Sequence, residues 1–126
     1  SRHFPFLQQA KMTFDQITWD DFMRVALHFG TITRAEEFAE ARKPAYKLWI
    51  DFGPEIGVRK SSSQIVAAYP DPSVLIGKQV LCVLNFGDKQ VGPFISQFLT
   101  TGANTAAGET VLVTPEKPVP NGARLL

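Results

Sequence analysis

The chain has 126 residues, 44% hydrophobic and 20% charged, and its 13 basic and 12 acidic residues leave a net charge of +1. That length suffices for one domain with a core of its own, without disulfide or metal staples. So even a balance gives no bulk support to nucleic-acid binding, which only a local basic patch could supply.

In chain order, residues 1–11 (SRHFPFLQQAK) read as an extension added for expression, with Met12 the natural start and residues 12–126 the domain. The extension's Phe4-Pro5-Phe6-Leu7 is itself a candidate client peptide. No signal-peptide layout precedes the domain, and no apolar run approaches the ~18–20 residues of a membrane span, so the expected location is cytoplasmic. His3 and His28 are far apart and lack companion ligands, so neither a metal nor another cofactor is expected.

Thr18 followed by Asp20 and Asp21 predicts a short capped helix with acids in its first turn. A first strand is expected from Ala26 to Glu37, with Gly30 allowing a bend or bulge. Ala45 to Phe52 is the clearest strand. Period two sends Tyr46, Leu48, Ile50 and Phe52 to the core, and Lys47, Trp49 and Asp51 to the other face. A tryptophan between a lysine and an aspartate fits a ligand or base stack, or a contact with another chain.

Gly53-Pro54 turns the chain into a third strand, Ile56 to Ser61, closing with Arg59-Lys60. Ser61-Ser62-Ser63 then predicts the start of a short helix running to Tyr69. Its hydroxyls and backbone N–H groups are either caps or an anion site beside Arg59 and Lys60. Val80 to Leu84 is apolar throughout, which implies burial on both faces, the outer one under a helix or a second subunit. Within that run Cys82 reads as a small core hydrophobe of a reducing compartment.

The stretch Leu84 to Thr100 (LNFGDKQVGPFISQFLT) alternates polar groups with aromatics around a turn and a second strand, Phe94 to Leu99. It is either a recognition surface carried by a loop or a structural hairpin. Residues 102–108 read as a flexible loop, Thr110 to Val113 as a strand, and Pro115 to Gly122 as a proline-punctuated tail. Five short strands, a short N-terminal helix and a short helix between strands three and four predict an all-β, five-stranded Greek-key barrel of the OB type.

Several ordered segments carry a resemblance: Phe29-Gly30-Thr31-Ile32, Ala35-Glu36-Glu37-Phe38, Ile50-Asp51-Phe52-Gly53, Ser61-Ser62-Ser63-Gln64-Ile65, Gln90-Val91-Gly92-Pro93-Phe94 and Pro118-Val119-Pro120-Asn121-Gly122. From Phe22 to the C-terminus the chain resembles the CsaA family, export-related chaperones built on the tRNA-binding OB domain. The resemblance implies a homodimer with hydrophobic pockets for unfolded or pre-secretory polypeptides, with export machinery as a further partner. It departs from related tRNA-binding domains at Ala26 and His28, where those carry an Asp-x-Arg pair, and at Gln97, where they carry a glutamate.

Two functions follow. A chaperone needs a concave apolar surface with polar guides, and Phe29, Trp49, Phe86, Pro93 and Phe94 are its candidates. A tRNA-binding protein would use the basic excess of Arg42, Lys43, Lys47, Arg59 and Lys60, with Ser61, Ser62, Lys89, Ser96 and Gln97 beside it, unless that face is simply solvated. Catalysis is not expected. No nucleophile triad order, phosphate loop or metal-spaced set stands out.

Overall fold

The computed structural model describes residues 11–126. The foreign origin expected of residues 1–11 and the client role of Phe4-Pro5-Phe6-Leu7 lie outside the described residues but for Lys11. Helix α1 (Trp19–Met23) is entered as predicted. Thr18 Oγ1 accepts from Asp21 N at 3.1 Å, and Asp21 Oδ2 accepts from Thr18 N at 3.0 Å. The strands are β1 (Leu27–Glu37), β2 (Tyr46–Asp51), β3 (Val58–Ser63), β4 (Gln79–Val83), β5 (Lys89–Val91), β6 (Phe94–Ser96), β7 (Leu99–Thr100), β8 (Gly102–Asn104) and β9 (Thr110–Leu112). An antiparallel sheet in the order β3-β2-β1-β4-β7 curls into a nearly closed five-stranded barrel, while β5–β6 and β8–β9 are separate hairpins.

The alternation read in β2 sets the core. Tyr46, Leu48, Ile50 and Phe52 are buried with Ile32, Ile65, Leu75, Val80 and Cys82, each large side chain contributing roughly 1.5–3 kcal/mol of apolar transfer. Gly30 is required for close approach rather than for a bulge. A Cβ there would stand 2.6 Å from Ile50 Cγ2 and 2.8 Å from the Asp51 carbonyl. The bulge falls at Thr33, between the Ile32–Ile50 and Arg34–Trp49 pairs.

The largest correction concerns the serines. Ser61–Ser63 end β3 instead of starting a helix, because the hydroxyls of Ser61 and Ser63 have partners far along the chain. Ser61 Oγ donates to the Phe98 carbonyl at 2.5 Å and lies 2.7 Å from Ser96 Oγ, and Ser63 Oγ is 2.8 Å from Thr100 Oγ1. Gln97 completes the seam, its N–H donating to the Lys60 carbonyl at 2.9 Å and its Oε1 accepting from Lys60 N at 3.0 Å. The barrel thus closes between β3 and the 96–100 segment largely through side chains. The short helix between β3 and β4 is a 3-10 turn over Pro72–Leu75, capped by Asp71 and started by Pro72.

Two further expectations change. Residues 102–104 pair with β9 instead of forming a loop. Leu81 and Val83 on the outer face of β4 are already 5% and 7% exposed in the single chain, so their burial does not call for a second subunit. Val83 floors a small hollow walled by Asp21, Arg24, Val25, Asn85 and Phe86. The proline-rich tail then locks along the start of β1. Gly122 N donates to the Phe29 carbonyl at 2.7 Å, Phe29 N to the Ala123 carbonyl at 2.9 Å, and Thr31 Oγ1 to Asn121 Oδ1 at 2.6 Å. Gly122 has φ +90°, and a Cβ on it would meet the Phe52 carbonyl at 2.5 Å, so only glycine fits.

Candidate functional site

Between the loop that joins β1 to β2 and the β5–β6 hairpin runs an open groove of about 1180 Å³. One wall carries Arg42, Lys43 and Ala45, with Ser62 and Ile65 beyond them. The other carries Phe86, Lys89, Gln90 and Val91, and Leu99, Thr100 and Thr101 also line it. Phe86 is 70% exposed at the lip. Glu40 is the acid among the lining residues, against Arg42, Lys43 and Lys89, so the groove presents positive charge around hydroxyls and apolar side chains.

Beside it, on the outer face of β2 and β3, a second set of cations lies over aromatic rings. Lys47 Nζ is 4.9 Å from the Phe38 ring centre and 5.4 Å from that of Phe94, and Lys60 Nζ is 5.1 Å from Phe94. The Arg34 guanidinium covers Trp49 at 4.3 Å. Phe38 and Trp49 meet Phe94 edge-on, at 5.5 and 6.2 Å. A cation over a π face is worth about 0.5–1 kcal/mol at exposed sites.

Of the polypeptide-binding candidates, the structure brings only Phe86 to the groove wall. Pro93 sits exposed in the β5–β6 turn. Phe94 is 7% exposed, packed with Phe38 and Ala45 as a satellite core, so it supports a wall and offers little surface of its own. Trp49 is half-buried beneath Arg34, which removes the solubility cost a bare tryptophan would carry. Phe29 pairs with Leu81 and with the tail, and lines no part of the groove.

The basic candidates separate into two groups. Arg42, Lys43 and Lys89 line the groove, whereas Lys47 and Lys60 lie on the aromatic cluster. Arg59 departs from both. It stands opposite Ile50, and strand alternation puts it on the face of Ser61 and Ser63, away from Lys60 and Ser62. Ser62 and Ser96 are among the groove's lining residues. Ser61 and Ser96 are buried at 0% and 8% exposure, and the Gln97 side chain is held by Lys60 N. Those three hold the barrel shut, so the anion site at a serine-capped helix does not exist. Thr100, Thr101 and Thr110 also line the groove, and sequence gives no signal for them beyond the strand pattern at Thr100 and Thr110, Thr101 lying between β7 and β8.

Titration adds little chemistry. Burial pushes the Cys82 thiol well up, keeping it protonated and inert. Tyr46 is raised by burial, with Glu37 and Asp71 adding to it, and its hydroxyl donates to the Tyr69 carbonyl at 2.6 Å. Among the described residues no three His, Cys, Asp or Glu side chains are placed to hold a metal, and no helix is long and apolar enough to cross a membrane.

The model of a family described as "Putative tRNA binding domain" matches residues 27–124. The chaperone CsaA of Bacillus anthracis str. Ames is 44% identical, with a TM-score of 0.80 over 89% of this chain and 100% of that one. The CsaA chaperone of Picrophilus torridus is 40% identical, with a TM-score of 0.79 over 88% of this chain and 100% of that one. A methionine–tRNA ligase of Enterococcus faecalis is 34% identical over 86% of this chain, which spans 16% of the ligase's length. The chain belongs to this tRNA-binding-domain family and groups within it with the CsaA proteins.

Proposed function

We propose that this member of the family is a cytoplasmic chaperone that holds unfolded or pre-secretory polypeptides in the groove between the β1–β2 loop and β5, acting as a homodimer alongside export machinery. The observation that carries the reading is the groove's lining. The exposed Phe86 lip, with Val91 and Leu99, supplies apolar surface, and Ser62, Thr100 and Thr101 supply hydroxyls that can bond any peptide backbone. Such a mixture grips extended chain by burial without reading its sequence. A second copy is supported by Met12, Phe14, Ile17 and Trp19, 60–83% exposed ahead of and at the start of α1, an apolar stripe that water disfavours.

One observation favours tRNA as a second ligand: Arg42, Lys43 and Lys89 converge on the same groove. Phosphate contacts from them would make binding fall steeply with salt. The deciding experiment measures fluorescence anisotropy of a labelled unfolded preprotein peptide and of labelled tRNA against the full chain across a salt series. Peptide held at moderate salt and lost on Phe86→Ala supports the chaperone. Tight tRNA binding with a steep salt slope, and no peptide binding, sinks it in favour of the second reading.

A further inference from the structure

Strand β5 has one neighbour. It pairs with β6 in a two-stranded hairpin outside the barrel sheet, and its residues Lys89, Gln90 and Val91 line the groove. The register is Lys89–Ser96, Gln90–Ile95 and Val91–Phe94, closed by the two-residue turn Gly92-Pro93. Gly92 has φ +57°, and proline fixes its own φ near −65°, so the turn is of the II′ kind that suits hairpin twist.

That register decides which backbone groups are free. The pair closing such a turn, Val91 and Phe94, exchanges hydrogen bonds, and bonded and non-bonded pairs alternate along an antiparallel ladder. Gln90 is therefore a non-bonded position, and its N–H and C=O both point away from β6. Lys89 and Gln90 are exposed, so the edge is open. A donor and an acceptor presented by one strand residue match the backbone of another extended chain, laid about 4.8 Å away.

We infer that the free edge of β5 takes one added strand from the bound polypeptide, whose backbone exchanges hydrogen bonds with Gln90, and that the preferred segments carry acidic side chains. The inference rests on the polypeptide-binding reading and names the kind of segment bound. The acidic preference follows from charge complementarity, since Arg42, Lys43 and Lys89 flank this edge against Glu40. An edge of three residues with a lysine on it resists open-ended aggregation while leaving room for one short strand.

The test compares backbone with side chain at one position, using the full chain and an extended peptide with alternating glutamate and valine. Gln90→Ala keeps the N–H and loses less than Gln90→Pro, which deletes it and loses tenfold or more. Thermal melting of both variants checks that the hairpin stays folded. A peptide N-methylated at alternate residues, which leaves the protein untouched, loses at least as much on one of its two phases of methylation. Hydrogen exchange at the Gln90 amide slows when the unmodified peptide is added. If Gln90→Pro and both N-methylated peptides bind like their parents, the edge pairing is wrong while the chaperone reading survives. If no peptide binds the parent chain, or only an RNA oligonucleotide does, both fall.

Discussion

Two sets of cations lie close together in this fold and have little in common beyond charge. Lys47 and Lys60, with Arg34, lie over the rings of Phe38, Phe94 and Trp49 on the outer face of β2 and β3. Arg42, Lys43 and Lys89 line the groove, and among the described residues no aromatic face or carboxylate lies in direct contact with them. The first set spends its charge on the protein's own aromatics and, at Arg34, on Glu36 as well. The second retains it for whatever enters the groove. Partnership, rather than charge or position in sequence, separates a side chain that holds the fold from one that can hold a ligand.

The strongest challenge to that distinction is Phe94→Ala. Its ring underlies Lys47, Lys60, Trp49 and Phe38 at once, so truncation is expected to cost about 3 kcal/mol, the lower end for a buried phenylalanine because the site is near the surface. A urea midpoint measures it. If stability is unchanged while peptide binding disappears, the aromatic cluster is a binding surface and the two sets merge.

Next comes Ser61→Ala. The substitution leaves the Phe98 carbonyl and the Ser96 hydroxyl without the partner they have at 2.5 and 2.7 Å, an expected cost of about 1–3 kcal/mol by thermal melting. Ser62→Ala, one residue along but facing the groove, is expected to stay within about 0.5 kcal/mol. Equal effects at the two positions would contradict the alternation that assigns them different work.

These serines also show where sequence reasoning stops. The Thr18–Asp21 capping box, the core face of β2 and the doubly buried β4 were legible because each depends on residues within a few positions. Ser61 to Ser63 were not, since their partners lie 35 to 37 residues away and local propensity reads three serines as a helix cap. Arg59 and Lys60 looked like one patch, although the alternation used for β2 would have parted them on β3. Phe94 was read as a recognition residue because an aromatic in a polar hairpin looks exposed; the rings that bury it come from β2 and the β1–β2 loop. The groove itself needs five separate stretches of chain, 40–45, 62–65, 86–92, 96–101 and Thr110, to meet, which no local pattern announces.

Smaller effects sharpen the comparison between the cations. Lys60→Met keeps the aliphatic stem and removes the charge over Phe94, for an expected loss of about 0.5–1 kcal/mol. Lys89→Met is expected to leave stability within about 0.5 kcal/mol and, if tRNA is a ligand, to lower the salt slope of its binding by about 1. Matched melting curves with salt titrations separate the two outcomes. A salt slope that moves with Lys60 and not with Lys89 would reverse the assignment.

Asp71 is the least costly probe and tests the same rule from the other side, because it is exposed and yet partnered. Its carboxylate is held below the usual range by Ser73, by the side-chain hydroxyl first and then by the backbone N–H, which donates to Asp71 Oδ1 at 3.0 Å at the start of the Pro72–Leu75 turn. A depressed value in the folded state means that the contribution is present above the unfolded carboxylate's ordinary ~3.9 and is lost as pH falls through the folded value. Asp71→Asn can still cap the turn but cannot titrate. Its melting temperature should match the parent at neutral pH within a degree or two and fall less steeply below pH 4. An unchanged acid limb would mean that solvent, not Ser73, already satisfies the carboxylate. Exposure alone would then predict availability here, and the distinction drawn between the two sets of lysines would need a measure of burial as well as of partnership.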